Sequence, residues 1–118
     1  MRVPSKVQRG ASAEADAAQL LVGAGYRIVE RNFRCKVGEL DIVARDGDVL
    51  VFVEVRSRAD DEHGSAVEMI RRTKQRRVAR VAAYYLATVA PAFEQCRFDV
   101  VAITAGEATL IRDAFRVQ

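Results

Sequence analysis

Residues 38–58 read GELDIVARDGDVLVFVEVRSR, which is the pattern of a β-hairpin. Two strands should meet in a tight turn around Asp46-Gly47, because an Asp-Gly pair between apolar runs is a strong hairpin signal. The second strand, residues 49–55, is almost wholly apolar and rich in β-branched residues. Such a strand is typical of the buried middle of a sheet. A carboxylate there is costly unless it is paired or binds a cation, and Glu54 is that carboxylate.

The register of the hairpin determines which acid of the first strand faces Glu54. Residues that pair across a hairpin share a side of the sheet, and sides alternate along each strand. A two-residue loop would place Glu39 opposite Glu54, whereas a four-residue loop would place Asp41 there. In both registers one face carries the same four side chains, which are Glu39, Asp41, Glu54 and Arg56.

A first helix is predicted upstream of the hairpin. It should begin at Ser12, a favourable N-cap, and end at Gly23 and Gly25. At 100° per residue, Glu14 falls on the apolar side of this helix and should point toward whatever the helix packs against. The alternative is that Glu14 is only an N-terminal acid stabilised by the helix dipole.

A second, longer helix is predicted after a polar loop at residues 59–64. The segment 65–68, Ser-Ala-Val-Glu, is a capping box that should open this helix, and the helix should end near residues 88–90. Lys74 falls within its apolar stripe. Lys74 could extend along the core to reach solvent, which is the commoner case, or it could reach the acids of the hairpin.

The same helix carries the densest positive charge in the chain. Residues 71–80 contain six cations and no acid. This segment is a candidate phosphate-binding ridge, although a solvated helix face has the same pattern. The ridge residues predicted to bind nucleic acid are Arg71, Arg72, Arg76, Arg77 and Arg80.

A first strand is predicted at residues 26–30, before the hairpin. Two more strands, at residues 97–104 and 109–112, complete an α-β-β-β-α-β-β order, and Phe115 should dock the tail. The fold class is therefore α/β, with a mixed central sheet flanked by helices. A long helix between the third and fourth strands is a crossover, so these two strands should be parallel neighbours.

The 118-residue chain carries a net charge of +3. This length predicts one domain, at residues 11–118, after a flexible basic N-terminus at residues 1–10. No apolar run is long enough to cross a membrane, and the N-terminus lacks the apolar core of a signal peptide, so the cytoplasm is the expected location. Cys35 and Cys96 lack metal-type spacing and should be reduced thiols.

Carboxylates on adjacent strands beside basic residues are suited to a hard divalent cation such as Mg²⁺, which accepts oxygen ligands and substrate phosphates. Such an ion lowers the pKa of bound water and stabilises charge on a phosphodiester. A protein cation nearby would orient that water or offset charge in the transition state. The residues therefore favour hydrolysis of a nucleic-acid backbone.

The sequence also resembles a known nuclease motif. Asp41, followed thirteen positions later by Glu54-Val55-Arg56, resembles the PD-(D/E)xK motif of the restriction endonuclease-like superfamily. More closely, the chain is similar to the YraN-like family, which is related in fold to Holliday-junction resolvases. The matching segments are 13–14, 25–26, 31–34, 38–41, 52–56, Lys74 and 97–100.

This resemblance implies a restriction endonuclease-like core and a metal-dependent site. Asp41, Glu54 and the backbone carbonyl of Val55 would bind Mg²⁺ or Mn²⁺, Glu14 would complete the acidic site, and Glu39 is an accessory candidate. It further implies DNA as the partner, branched DNA included, and a homodimer by analogy.

One departure from the motif concerns the catalytic cation. The motif's lysine is Arg56 here, and arginine cannot exchange a proton near neutral pH. Arg56 can still hold a phosphate, and Lys74 could supply the missing ammonium.

Three hypotheses follow. The chain could be a metal-dependent endonuclease acting on DNA, or a nucleic-acid-binding protein that keeps the fold without turnover. The third is an interaction module whose acids form only structural ion pairs with Arg45, Arg56 and Arg58.

Overall fold

The computed structural model describes residues 6–58 and 71–117. Its elements, in chain order, are α1 (Lys6–Gly23), β1 (Arg27–Cys35), β2 (Gly38–Asp46), β3 (Val49–Arg58), α2 (Arg72–Val89), β4 (Gln95–Thr104) and β5 (Glu107–Phe115). The predicted α-β-β-β-α-β-β order is confirmed. Neither helix is long and apolar enough to span a bilayer. Both cysteines are free thiols, as expected.

The five strands form one sheet in the order β1-β2-β3-β4-β5. β3 and β4 run parallel, and the other neighbouring pairs are antiparallel. The parallel pair arises because the chain crosses over between β3 and β4, the connection that contains α2. The sheet is therefore mixed and flanked by helices, which confirms the predicted fold class.

The central strand β3 divides the core into two clusters. Leu50 and Phe52 pack with the buried residues of α2, whereas Val51 and Val53 pack with those of α1. Alternate residues of a strand point to opposite faces of its sheet, so the two helices cover opposite faces. Glu54 follows the alternation of Leu50 and Phe52. It therefore projects from the face that α2 covers.

The hairpin adopts the second of the two predicted registers. Arg45 pairs with Leu50, and the ladder continues to Ile42 opposite Val53. Gly47 in the turn has a φ of 60°, a left-handed conformation that glycine adopts without a steric penalty. The paired residues end one position short of Asp41 and Glu54, so this register brings the two acids of the nuclease motif close together.

The start of α1 differs from the prediction. The helix begins at Lys6, six residues before the expected Ser12 N-cap, and so includes residues 6–10 of the segment predicted to be flexible. Residues 6–9 are Lys, Val, Gln and Arg, which contain no helix breaker, so the chain can extend the helix upstream of a favourable cap residue. Residues 1–5 lie outside the described part of the chain.

The start of α2 also differs. Arg71 is extended, with φ −71° and ψ 161°, and its carbonyl accepts the Gln75 N–H at 2.9 Å. Arg71 is therefore the N-cap, and the helix begins at Arg72. An extended residue cannot continue a helix, so no unbroken helix runs from residue 65 through residue 72. The predicted capping box at residues 65–68 and the polar loop at 59–64 lie outside the described residues. At its other end, the helix stops at Val89, as predicted.

A buried polar network joins the α1 side of the sheet to β4 and β5. Asp99 is fully buried, yet it accepts hydrogen bonds from the Tyr26 hydroxyl at 2.6 Å and from Arg97 Nε at 2.8 Å. The same Arg97 also donates to Asp46 at 2.8 Å, near the hairpin turn. Burial, together with Asp99, raises the pKa of Tyr26 to about 12, so this hydroxyl stays a neutral donor.

An irregularity in β5 completes this network. The pairing of β4 with β5 shifts between Phe98 and Val100, opposite the segment where Asp113 has a φ of 53°. The shift turns the Asp113 backbone N–H onto Asp99 at 2.9 Å. Beyond it, Phe115 stacks on Phe98 with ring centroids 5.0 Å apart, which confirms that Phe115 docks the tail.

Loss of the Asp99 carboxylate should be far more costly than loss of Asp46. Asp99→Ala leaves Arg97 without its buried partner, so we expect the free energy of unfolding to fall by about 3–5 kcal/mol. Asp46→Ala removes a partly exposed partner of the same arginine and should lower it by about 1 kcal/mol or less. Urea denaturation of both variants measures the difference. Equal losses would contradict a stabilising role that depends on the burial of Asp99.

Candidate active site

Glu54 is the centre of a polar group on the α2 side of the sheet. It lies on β3, directly after the fully apolar run 49–53, and is only 5% exposed. Because β3 is flanked by β2 and β4, the carboxylate cannot reach bulk water at a sheet edge. The charge of this carboxylate is therefore stabilised by the neighbouring protein groups.

The first neighbour is Asp41 on β2. It directly precedes Ile42, where the pairing of β2 with β3 ends, and its Oδ2 accepts the backbone N–H of Val55 at 2.9 Å. In a β-strand, the N–H and the carbonyl of one residue point toward the same neighbouring strand. The Val55 carbonyl therefore also faces β2.

The surroundings of Asp41 change its protonation. Burial raises the pKa of Asp41 to about 7, and the negative charge of Glu54 is the second cause. A hydrogen bond with Glu54 and the charge of Glu39 also raise this pKa, while the Val55 N–H lowers it. Near neutral pH, the Asp41 carboxyl group therefore carries a proton for a large part of the time.

Two cations approach Glu54 from the opposite side. Lys74 of α2 places its Nζ 3.3 Å from Glu54 Oε1, and Arg56 Nε lies 3.9 Å from the same oxygen. Arg56 Nε is buried and has no hydrogen-bond partner among the described residues. An unpaired buried donor is energetically costly. A ligand oxygen at this position would satisfy it.

The metal-binding capacity of this group is limited to two carboxylates. Within residues 6–58 and 71–117, no cluster of three or more acidic, histidine or cysteine side chains could hold a metal ion. A closed structural zinc site is thus absent from this part of the chain. Magnesium, however, is usually held by one or two carboxylates plus water and substrate phosphates. Asp41 and Glu54, with the Val55 carbonyl, fit an ion of that kind.

The other two predicted acids lie apart from this pair. Glu14 is half-buried on α1, and α1 covers the opposite face of the sheet from Glu54. Glu39 is exposed and forms an ion pair with Arg34 at 3.1 Å. It acts on Asp41 through its charge alone. The participation of Glu14 in the site stays a prediction.

The basic residues of α2 form an inward-facing group and an outward-facing group, as their helical positions predict. Lys74 points inward and contacts Glu54, in agreement with the sequence-based interpretation that it could reach the acids. The five ridge residues, Arg71, Arg72, Arg76, Arg77 and Arg80, are all exposed to solvent. The first turn of this helix contains no acid. The helix therefore presents one half-buried cation to the acids and a row of cations to solvent.

Comparison with known proteins relates the whole site to one family. The sequence pattern of the uncharacterised protein family UPF0102 matches residues 13–103. A UPF0102 protein of Moorella thermoacetica is 50% identical over 96 residues, covering 81% of this chain and 80% of its own length. One from Syntrophus aciditrophicus is 42% identical over 120 residues, with 98% and 94% coverage. Another, from Symbiobacterium thermophilum, is 44% identical over 111 residues, with 90% and 94% coverage.

The raised pKa of Asp41 predicts a pH-dependent gain in stability when its charge is removed. An ordinary aspartate has a pKa of 3.8, so between this value and about 7 the folded chain binds more protons than the unfolded chain. Stability therefore falls as pH rises through that window. We expect Asp41→Asn to raise Tm by roughly 3–8 °C near pH 8 and by much less near pH 4.

Thermal unfolding of the two proteins at both pH values measures this effect. Asp48→Asn, at an exposed aspartate in the hairpin turn, is the matched control and should shift Tm little at either pH. A gain in Tm for Asp41→Asn that is the same at both pH values would contradict a raised pKa of Asp41.

Proposed function

The chain belongs to the uncharacterised protein family UPF0102, the YraN family of PD-(D/E)xK-like proteins, and we propose that it is a metal-dependent endonuclease that hydrolyses phosphodiester bonds in DNA. One observation carries this proposal. A hydrogen bond joins the acids Asp41 and Glu54 on β2 and β3, and Lys74 lies 3.3 Å from Glu54. This places paired carboxylates beside a proton-bearing cation.

The carboxylates are proposed to hold Mg²⁺ or Mn²⁺. Asp41 and Glu54 are the charged ligands, and the Val55 carbonyl, which faces β2, is the neutral one. When bound, the ion supplies Lewis-acid stabilisation of the phosphodiester and lowers the pKa of a coordinated water. The proton that Asp41 holds near neutral pH must leave before the ion enters, so binding should strengthen as pH rises.

Lys74 is proposed to take the role of the motif's lysine. Its ammonium carries three donors, one of which is directed at Glu54. The remaining donors can orient a water molecule beside that carboxylate or neutralise the departing oxygen. Arg56 cannot exchange a proton, but its buried Nε is a donor that a phosphate oxygen would satisfy. We assign proton handling to Lys74 and charge stabilisation to Arg56.

The exposed arginines of α2 are proposed to bind the DNA backbone. Contacts of this kind are sequence-independent and weaken as salt rises, since each one releases counterions from the phosphates. Branched DNA fits the proposal through the resemblance to resolvases. A homodimer would present two sites to the two symmetric strands of a junction.

Arg56 favours one alternative, a nucleic-acid-binding protein without turnover. Its guanidinium stands where the motif has a lysine, and the cation that could replace that lysine already contacts Glu54. This alternative keeps metal and DNA binding but predicts no cleavage. The interaction-module alternative has weaker support. Arg45 donates to the carbonyl of Ala92, and Arg56 approaches Glu54 only to 3.9 Å. The side chain of Arg58 lies outside the described part.

A cleavage panel tests the proposal. Labelled linear, flapped and four-way DNAs are incubated with the protein and Mg²⁺ or Mn²⁺, and products are resolved on denaturing gels. We expect cleavage of at least one substrate by the native chain and about a hundredfold or greater loss in Asp41→Asn, since an electrostatic contact in an active site contributes on this order. Binding without cleavage by the native chain would favour the alternative without turnover.

A second pair of variants separates the role of Lys74 from that of Arg56. Lys74→Ala should lower kcat by about 10²–10⁴-fold, the usual contribution of general acid–base catalysis. Arg56→Lys should retain or increase activity, because it restores the lysine of the motif. Single-turnover cleavage rates measure both effects. An unchanged rate in Lys74→Ala would remove Lys74 from the chemistry and leave the proton transfer to solvent.

A further inference from the structure

A pocket of about 340 Å³ lies between α2 and the C-terminal end of the described chain. We call it the arginine pocket, and its lining residues are Arg72, Gln75, Arg76, Arg116 and Val117. Arg72 and Arg76 are one helical turn apart on the same side of α2. Arg116 follows β5, so it approaches from a different element. Three guanidinium groups from two elements therefore border one small volume.

Among the described residues, the arginine pocket carries more positive charge than its neighbours neutralise. Arg116 forms an ion pair with Asp113 at 2.8 Å. Within residues 6–58 and 71–117, neither Arg72 nor Arg76 has an ion pair or a side-chain hydrogen bond. In this part of the chain, three cations therefore lie beside one carboxylate, an excess of two positive charges. Cations one helical turn apart repel each other, so an anion in the pocket would relieve that repulsion.

The chemistry of the pocket favours a phosphate monoester over a diester. A monoester carries a charge of about −1.5 to −2 near neutral pH, which matches the excess, and it has three terminal oxygens. A diester has a single negative charge and two free oxygens. Guanidinium groups bind phosphate oxygens through paired N–H donors, so three arginines suit the group with three oxygens. The volume is near the lower end of the range of about 300–1,000 Å³ for small-ligand sites, which fits one such group.

The position of the pocket relates it to the candidate active site. Lys74, which contacts Glu54, lies between Arg72 and Arg76 in the sequence of α2 and projects from a different side of the helix. A phosphate in the pocket would therefore lie across this segment of α2 from the residue that contacts the buried acid.

We propose that the arginine pocket binds the terminal phosphate of a nucleic-acid strand. The identification of the ligand as a nucleic acid rests on the proposed function; the preference for a monoester rests on the charge and size of the pocket. The chain then distinguishes a phosphorylated strand end from a hydroxyl end. Arg116, which lies outside the α2 ridge, is the residue that gives the pocket its third guanidinium.

The experiment compares short single-stranded oligonucleotides that carry a phosphate or a hydroxyl at one end, with the fluorescent label at the other. The full chain is titrated in EDTA, so that no cleavage occurs, and fluorescence anisotropy gives the Kd. We expect the native chain to bind one phosphorylated end about tenfold more tightly than the matching hydroxyl end. Arg116→Gln should reduce this preference to less than about twofold.

The matched control is Arg27→Gln. Arg27 is also an exposed arginine, but it lies on β1 outside the pocket, so its loss should leave the preference for a phosphorylated end unchanged. Arg116 is 81% exposed, and thermal unfolding of Arg116→Gln should match that of the native chain. An equal preference in Arg116→Gln and Arg27→Gln would overturn the proposal.

Two further outcomes would also overturn it. Equal affinity of the native chain for both ends, with a general loss in Arg116→Gln, would mean that the pocket holds backbone diesters. Stabilisation by inorganic phosphate that requires Arg116, without any end preference, would identify a small phosphate compound as the ligand. Failure of the nuclease proposal alone would give a different result. An end preference that depends on Arg116, in a chain that never cleaves DNA, would support the phosphate site and contradict only the nuclease activity.

Discussion

Glu54 imposes the constraint on which the rest of the site depends, because it places a charge inside the central strand of a packed sheet. Burial of an unpaired carboxylate costs several kcal/mol, and the surrounding structure offsets this cost in two ways. Asp41, whose pKa is raised to about 7, forms a hydrogen bond with Glu54, and Lys74 brings an ammonium to 3.3 Å from it. A core built only for stability would have an apolar residue at this position. The retained charges are thus consistent with a site that binds a cation.

The sheet separates the polar group around Glu54 from a second polar centre. The Asp99 network occupies the other face of the sheet, where Tyr26 and Arg97 satisfy its oxygens with short hydrogen bonds. Within the described part of the chain, no buried side-chain donor of that network lacks a hydrogen bond, and the network anchors β4, β5 and the hairpin end. The Glu54 group differs because Arg56 Nε has no partner among the described residues. One network is complete, and the other has a position for a ligand.

Local periodicity in the sequence correctly predicted the environment of two residues of the candidate site. The apolar run of β3 identified Glu54 as buried, and the apolar stripe of α2 placed Lys74 on the inward face. The choice of register was left open between two loops, because an Asp-Gly pair permits both. The site around Arg116 was missed because the residue follows the last strand, where no periodic pattern extends.

Other features could not be predicted because they depend on tertiary packing. The inward side of α1 was recognised, but its pattern does not encode which face of the sheet it covers, so the position of Glu14 relative to Glu54 was not accessible. The Asp99 network requires a shift in β5 pairing at Asp113, and such shifts leave no signature in hydrophobicity. Favourable cap residues at Ser12 and Ser65 each predicted a helix start. The chain begins α1 upstream of the first, and the described part of α2 begins at Arg72.

The central claim, that Asp41 and Glu54 form a metal site, is tested most directly by calorimetric titration with Mn²⁺ near neutral pH. Titrations in two buffers of different ionisation enthalpy also count the protons released. We expect one bound ion per chain and release of a fraction of a proton from Asp41. We also expect Glu54→Gln to abolish this binding. Absence of binding to the native chain, or equal binding to Glu54→Gln, would contradict a metal site at these two acids.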